Sequence, residues 1–228
     1  MIEYKGERRR GNANVRDGRR MGLWWGNPGK GVRSRRQPIR AILLHHQGGE
    51  GGASQLFNVL NGGRENRRTG KPIYLSVHFS IDREGNITQH ADVDTVCLHA
   101  GIANEFSVGI EMANRGVAPA LRGVPREVYS DSVHGRKMDF LRFFPAQVSA
   151  AYDLCIDLCD LLNLPWEFPT ERGRVTRRLL SKKELTDHRG LLGHLHVSRR
   201  KVDPSPHLLD ELQMSASLPE DWSPDHGG

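Results

Sequence analysis

The sequence predicts a globular α/β or α+β domain, and three observations carry that prediction. The 228 residues suffice for one sizeable core, or one core plus an extension. Strand-like and helix-like patterns both occur. "RAILLHH" (40–46) is a short apolar run with a polar end, as a buried strand reads, whereas "PAQVSAAYDLCIDLCDLLNLP" (145–165) sets Val148, Tyr152, Cys155, Cys159 and Leu162 on one helical face. Turn signals also separate alternating runs. "VHFSIDREGNITQHA" (77–91) alternates, turns at Glu84-Gly85-Asn86 and alternates again, which predicts a β-hairpin.

The remaining elements follow in order. Residues 1–38 are rich in Arg and Gly and read as a basic N-terminal arm, with "LWWGNPGKG" as a hydrophobic anchor whose Trp24 and Trp25 pack on the main domain. "ASQLFNVLNGG" (53–63) predicts a helix with Ser54 as N-cap and a glycine stop. "FSVGIEMAN" (106–114) is a strand, and residues 116–140 show no clean period and read as an insertion or long loop. "LTDHRGLLGH" (185–194) reads as a turn leading into a strand that ends at His194, and "PHLLDELQM" (206–214) as a short helix. Three segments result: the arm (1–38), a main domain (39–215) and an acidic C-terminal tail (216–228). No internal repeat is visible.

The net charge of +6 is uneven, since residues 1–40 hold twelve Lys/Arg against three Asp/Glu. Such an arm suits an anionic polymer, whether nucleic acid, anionic lipid or an acidic wall polymer; the alternative is a solvated tail. Nucleic acid is the less favoured partner, because the aromatic interleaving of single-strand binders is missing. No apolar run approaches the roughly 18 residues of a membrane span. The N-terminal charges are not followed by an apolar core, so no secretory signal is read and cytoplasmic synthesis is expected. Cys97, Cys155 and Cys159 are odd in number and lie in apolar settings, which suggests reduced core thiols rather than a disulfide framework. A monomer is expected.

The chemistry concentrates in "AILLHH" and "GHLHVSRRKVDPSP" (193–206). His45 and His194 both sit at predicted strand ends, and the Arg199-Arg200-Lys201 loop can return Asp203 beside His194. Two neutral imidazoles and a carboxylate make a three-ligand zinc site with a fourth position for water. Zinc acidifies that water and polarises a carbonyl, as amide hydrolysis requires. In a chain with eleven histidines, the alternative for each is a surface or core polar role.

Four blocks in order, "AILLHHQGG", "VHFSIDREGNITQHADVDTVCLHAG", "NEFSVGIEMAN" and "GHLHVSRRKVDPSP", resemble the zinc-dependent N-acetylmuramoyl-L-alanine amidases. That family includes T7-type phage lysozymes, cytoplasmic anhydromuropeptide amidases and peptidoglycan recognition proteins. The resemblance spans about residues 40–210 with gaps. It implies a single α/β domain with a central mixed β-sheet flanked by helices, and a Zn2+ site at strand ends in an open cleft. It implies His45, His194 and Asp203 as the ligands, with His46 pointing the other way because strand side chains alternate. Glu111 matches a general base or partner of the metal water, its alternative being a salt-bridged strand end. Lys201 matches a lysine that stabilises the oxyanion. His99 and Asn104 match positions lining the substrate cleft, where His99 would bond substrate or catalytic water; its alternative is a purely structural hydrogen-bonding role.

Three departures stand out. The loop from His194 to Asp203 is one residue shorter than in the cytoplasmic relatives, which shifts the place of Lys201. Val77 occupies the place of a tyrosine common in the family, so Glu111 must carry more of the catalysis. His196 replaces the aspartate of the usual "GHxD" and either orients the loop or competes as a ligand. His78, His90, His188 and His207 read as structural or surface residues. The resemblance thus implies a peptidoglycan amidase acting on muropeptide or wall, as a phage endolysin, a delivered toxin or a recycling enzyme. The alternative is a non-catalytic peptidoglycan-binding module. Such modules typically lose the third ligand, and Asp203 is present.

Overall fold

The computed structural model describes residues 1–26, 30–66, 68–117 and 126–215. The expected acidic tail (216–228), residues 118–125 of the expected insertion and residues 27–29 of the expected anchor lie outside them. Six strands form the central sheet: β1 (Val15–Asp17), β2 (Ala41–His46), β3 (Phe79–Ile81), β4 (Ile87–Gln89), β5 (Ser107–Met112) and β6 (Gly190–Gly193). Their order across the sheet is β6-β2-β5-β3-β4-β1. All neighbouring pairs are parallel except the β3–β4 hairpin, so the sheet is mixed.

The continuous apolar run of β2 follows from burial on both faces. Ile42 and Leu44 join Val108, Ile110, Leu191 and the helices α2 (Pro145–Leu162) and α4 (Pro206–Ser215). Ala41 and Leu43 face the other way, towards Phe106, Leu180 and Leu185, the last on α3 (Lys182–Asp187). A third cluster packs Leu56, Phe57 and Leu60 of α1 (Ala53–Asn61) on Trp25, Val77 and Cys97. Val77 is therefore a core residue.

Several elements depart in detail from the sequence reading. Gly52, not Ser54, caps α1, and no side chain bonds to that helix start. The buried face of α2 runs through Gln147, Ala150, Ala151, Leu154, Cys155, Leu158 and Cys159. It is rotated from the expected stripe because the two alanines allow close approach to the sheet, while Val148 and Tyr152 are only partly buried at the edge of the core. Residues 182–187, expected partly as a turn, form α3, which opens with a reciprocal Ser181–Glu184 capping box. All three cysteines are free and buried. No helix among the described residues is long and apolar enough to cross a membrane.

The described residues among the first 38 are built into the frame. Residues 2–4 pair with 7–9, β1 adds an edge strand beside β4, and 32–34 pair with 95–97. Ile2, Ala13 and Trp25 are buried. Trp25 packs on Phe57 with ring centroids 4.4 Å apart, and Trp24 carries the Arg19 guanidinium over its ring. The Asp157 carboxylate of α2 accepts the N–H groups of Asn12 and Ala13, both at 2.8 Å.

Candidate metal centre

His45 is the penultimate residue of β2, and His194 follows directly on β6. The register pairs Gly193 with Leu44, which brings His194 abreast of His45 at the C-terminal ends of two parallel strands. Sites in α/β folds form at such ends. Asp203 returns beside them because its carbonyl accepts the Leu195 N–H at 2.8 Å. Gly193 makes room for this return, since a Cβ there would lie 3.0 Å from Pro204 Cδ and from Leu209 Cδ1.

The three side chains are buried, at 1%, 5% and 5% relative exposure. His45 Nδ1 lies 2.9 Å from His194 Nδ1 and 3.2 Å from Asp203 Oδ2, and His194 Nδ1 lies 3.1 Å from the same oxygen. Ligand bonds of roughly 2.0–2.1 Å in a tetrahedron put ligand atoms about 3.3 Å apart. The three observed separations thus approximate one face of a zinc tetrahedron. Among the described residues, this trio is the group of His, Cys, Asp and Glu side chains that could hold a metal ion.

Electrostatics suit a cation. Burial, then the neighbouring His194, pushes His45 down to about 4 despite Asp203, so it is neutral. Burial opposes ionisation of Asp203, yet hydrogen bonds with His194 and His45 outweigh it and hold the carboxyl well below its usual range. A neutral imidazole beside an ionised carboxylate is the protonation state that zinc needs.

His99 supports this arrangement. Its Nδ1 lies 2.9 Å from His45 Nε2, its Nε2 lies 3.4 Å from Ser107 Oγ, and Ser107 donates to the Ala103 carbonyl at 2.6 Å. With His45 Nδ1 free for metal, one set of protons satisfies the chain: His45 donates to His99, and His99 to Ser107. Histidine ligands are commonly oriented in this way through their other nitrogen. Burial, then His45 and His78, lowers the His99 pKa well below the usual histidine value. Gly109 lets the ring in, since a Cβ there would meet His99 Nδ1 at 2.7 Å. The Asn104 side-chain oxygen accepts the N–H groups of His99 and Ala100, at 2.9 and 2.6 Å. Both residues expected to line the substrate cleft thus have structural bonds, with His99 directly on a candidate ligand.

Glu111 is the register partner of His45 on β5, so the two side chains share one face of the sheet. Lys201 is exposed in the loop before Asp203, and its charge helps depress His45 and His46. His46 lies on the opposite face, and a Cβ at Gly116 would meet its Nε2 at 2.5 Å. His196 is no competitor for the metal. Its Nδ1 accepts the Gly193 N–H and its Nε2 bonds to the Thr176 carbonyl, both at 2.9 Å.

Sequence reasoning missed Ser107 and Gly109. A glycine inside the strand "SVGIEM" was a usable signal, because such a glycine often marks a close approach.

A sequence profile of the family N-acetylmuramoyl-L-alanine amidase matches residues 35–206. No curated protein sequence matches the chain significantly. Solved structures do. Wild-type PGRP-LB from Drosophila has a TM-score of 0.52 at 14% identity, covering 93% of this chain and 100% of that one. Drosophila peptidoglycan recognition protein SD has a TM-score of 0.51 at 16% identity, covering 93% and 98%. The N-acetylmuramyl-L-alanine amidase AmiD from E. coli, solved with anhydro-N-acetylmuramic acid-L-Ala-D-gamma-Glu-L-Lys, has a TM-score of 0.50 at 18% identity, covering 81% and 62%. At these identities the likeness is one of fold. The profile, however, spans most of the sequence and every residue of the metal centre, and by that match the chain belongs to the N-acetylmuramoyl-L-alanine amidase family.

Proposed function

We propose that the protein is a zinc-dependent peptidoglycan amidase that hydrolyses the amide bond between the lactyl group of N-acetylmuramic acid and L-alanine of the stem peptide. The observation that carries this reading is the complete set of three buried ligand atoms, 2.9 to 3.2 Å apart. His45, His194 and Asp203 would hold zinc, with His99 fixing the His45 ring. Bound zinc supplies an acidified water and polarises the scissile carbonyl. Glu111, abreast of His45, receives the proton of the attacking water and passes it to the leaving amine. Lys201 sets its charge against the developing oxyanion. The basic segment 1–38 contacts an anionic wall polymer, which favours work on intact wall, as an endolysin or delivered toxin would do, over recycling of small fragments.

The test is mass spectrometry of digested sacculi together with a zinc assay. Wild-type protein is expected to release free L-alanine amino termini and to carry about one zinc. His45→Ala, His194→Ala and Asp203→Ala each lose metal and activity, whereas His46→Ala keeps the metal; full zinc in all three ligand variants would falsify the ligand set. Glu111→Gln is expected to keep zinc and lose roughly 10²–10⁴ in turnover, and wild-type turnover in that variant would remove Glu111 as the base. Wall binding without cleavage by the zinc-loaded protein would point instead to a non-catalytic peptidoglycan-binding module.

A further inference from the structure

The hairpin of strands Val128–Val133 and Arg136–Leu141 turns through His134 and Gly135, both left-handed, with φ of 54° and 77°. This is the two-residue turn that suits the twist of paired strands. It puts His134 at the tip, where it bridges two other segments. Its backbone N–H donates to the Arg177 carbonyl at 2.9 Å, and its ring Nε2 donates to the Lys201 carbonyl at 3.0 Å.

The same hairpin grips the chain beyond Lys201. Tyr129 Oη accepts the His207 N–H at 3.0 Å, and the two rings lie 4.7 Å apart. Asp131 pairs with Arg177 at 3.1 Å, and Arg177 also holds Asp210 on α4, with Nη1 2.9 Å from Oδ1. Asp203 lies between the contacts at Lys201 and His207. The exposed turn before it is held by local bonds, from Val197 and Ser198 N–H to the His194 carbonyl at 3.0 and 3.2 Å, from Lys201 N–H to the Ser198 carbonyl at 3.0 Å and from Arg200 N–H to Ser198 Oγ at 3.4 Å. Exposed segments held by local bonds keep more conformational freedom.

We propose that this hairpin is a positioning element of the metal centre, with His134 as the residue that fixes Lys201 and, two residues along the backbone, Asp203. The inference rests on the reading of Asp203 as a ligand and Lys201 as the oxyanion group. Neither His134 nor Tyr129 would touch reacting atoms. They restrict the loop so that the carboxylate and the ammonium stay in working geometry, where small displacements are costly.

The experiment uses the full chain loaded with zinc, compared as wild type, His134→Asn and His134→Gln. Asparagine tolerates the left-handed backbone but is too short to reach the Lys201 carbonyl, whereas glutamine carries an amide N–H near the position of Nε2. Two readouts are taken: hydrogen exchange at the Leu195, Lys201 and Leu154 amides, and zinc affinity by competition with a chelator. The asparagine variant is expected to exchange about fivefold faster at Leu195 and Lys201 and to bind zinc roughly three- to tenfold more weakly. Leu154, in α2, keeps its wild-type rate, and glutamine restores the loop. Unchanged exchange at Leu195 and Lys201, an equal rise at all three amides, or a glutamine variant as loose as asparagine would each overturn the proposal. Absence of zinc from the wild type would defeat the amidase reading instead, and exchange alone would then decide the role of the hairpin.

Discussion

His78, His90 and His196 are buried away from water, and each uses one ring nitrogen as an acceptor: His78 from Gly109 N–H, His90 from Ser80 Oγ and His196 from Gly193 N–H. Protonation would break that bond and bury a charge. Burial accordingly pushes His78 and His196 down to about 3 and His90 to about 4. Since these folded values lie below the ordinary value of about 6.5, the unfolded chain binds more protons in between. The stability they confer is full above about pH 6.5 and is lost as pH falls towards the folded values. At pH 5 the loss is about 2 kcal/mol for each histidine. Denaturation at pH 7 and pH 5, with histidine ring shifts followed by NMR, checks this: stability should drop while the three rings stay neutral, and equal stability at both pH values would contradict it. At this scale the resemblance foretold that His45, His194 and Asp203 would come together, as they do. It left His196 ambiguous, because a spacing of two residues does not reveal that Thr176, distant in sequence, takes the other side of its ring.

Among the elements, α2 ties the N-terminal segment to the domain through Asp157. Its carboxylate takes two backbone N–H groups at 2.8 Å, and a Cβ at Gly11 would clash with it at 2.2 Å. Asp157→Ala leaves those amides without a partner and is expected to cost about 3 kcal/mol. Urea denaturation measures this, and zinc content should stay at the wild-type level because Asp157 is not among the candidate ligands. A change under about 0.5 kcal/mol, the range of an ordinary surface substitution, would mean that the segment is held elsewhere. The strands β2 and β5 and the helices α2 and α4 were readable from apolar period. The hairpin at 128–141 was not, because Asp131 takes an inward place opposite Arg177 and interrupts the apolar alternation. The strands within residues 1–38 were hidden for a similar reason. They are three residues each, and the buried apolar residues of the segment, Ile2, Ala13, Leu23, Trp25 and Val32, are scattered among many arginines.

Across the whole molecule, β1 lies at the sheet edge opposite β6, so three strands separate Arg16 on that strand from β2 and β6, which carry the metal centre, whereas Arg35 of the same basic segment reaches the Ser107 carbonyl at 3.1 Å. Arg8 and Arg20 pair with Asp17, Arg9 with Glu7 and Arg19 with Glu3, and Arg9, Arg10 and Arg20 are exposed. Because this segment carries core residues, charge reversal tests it better than truncation. The triple variant Arg9→Glu, Arg10→Glu, Arg20→Glu should cleave a small soluble muropeptide at the wild-type rate but bind sacculi less well at low salt, with the gap closing as salt rises. Equal wall binding at low salt would assign these arginines to solubility alone. The pairing of β2 with β6 has a further consequence. It joins two candidate ligands 149 residues apart in sequence. On the ribosome His45 emerges long before His194 and Asp203, so the nascent chain holds only one of the three candidate ligands for most of its synthesis. On the proposed ligand set, metal capture would therefore report that the most distant strand pairing has been completed, and a fragment ending before residue 190, lacking both His194 and Asp203, would be expected to fail the zinc assay however well its other strands had assembled.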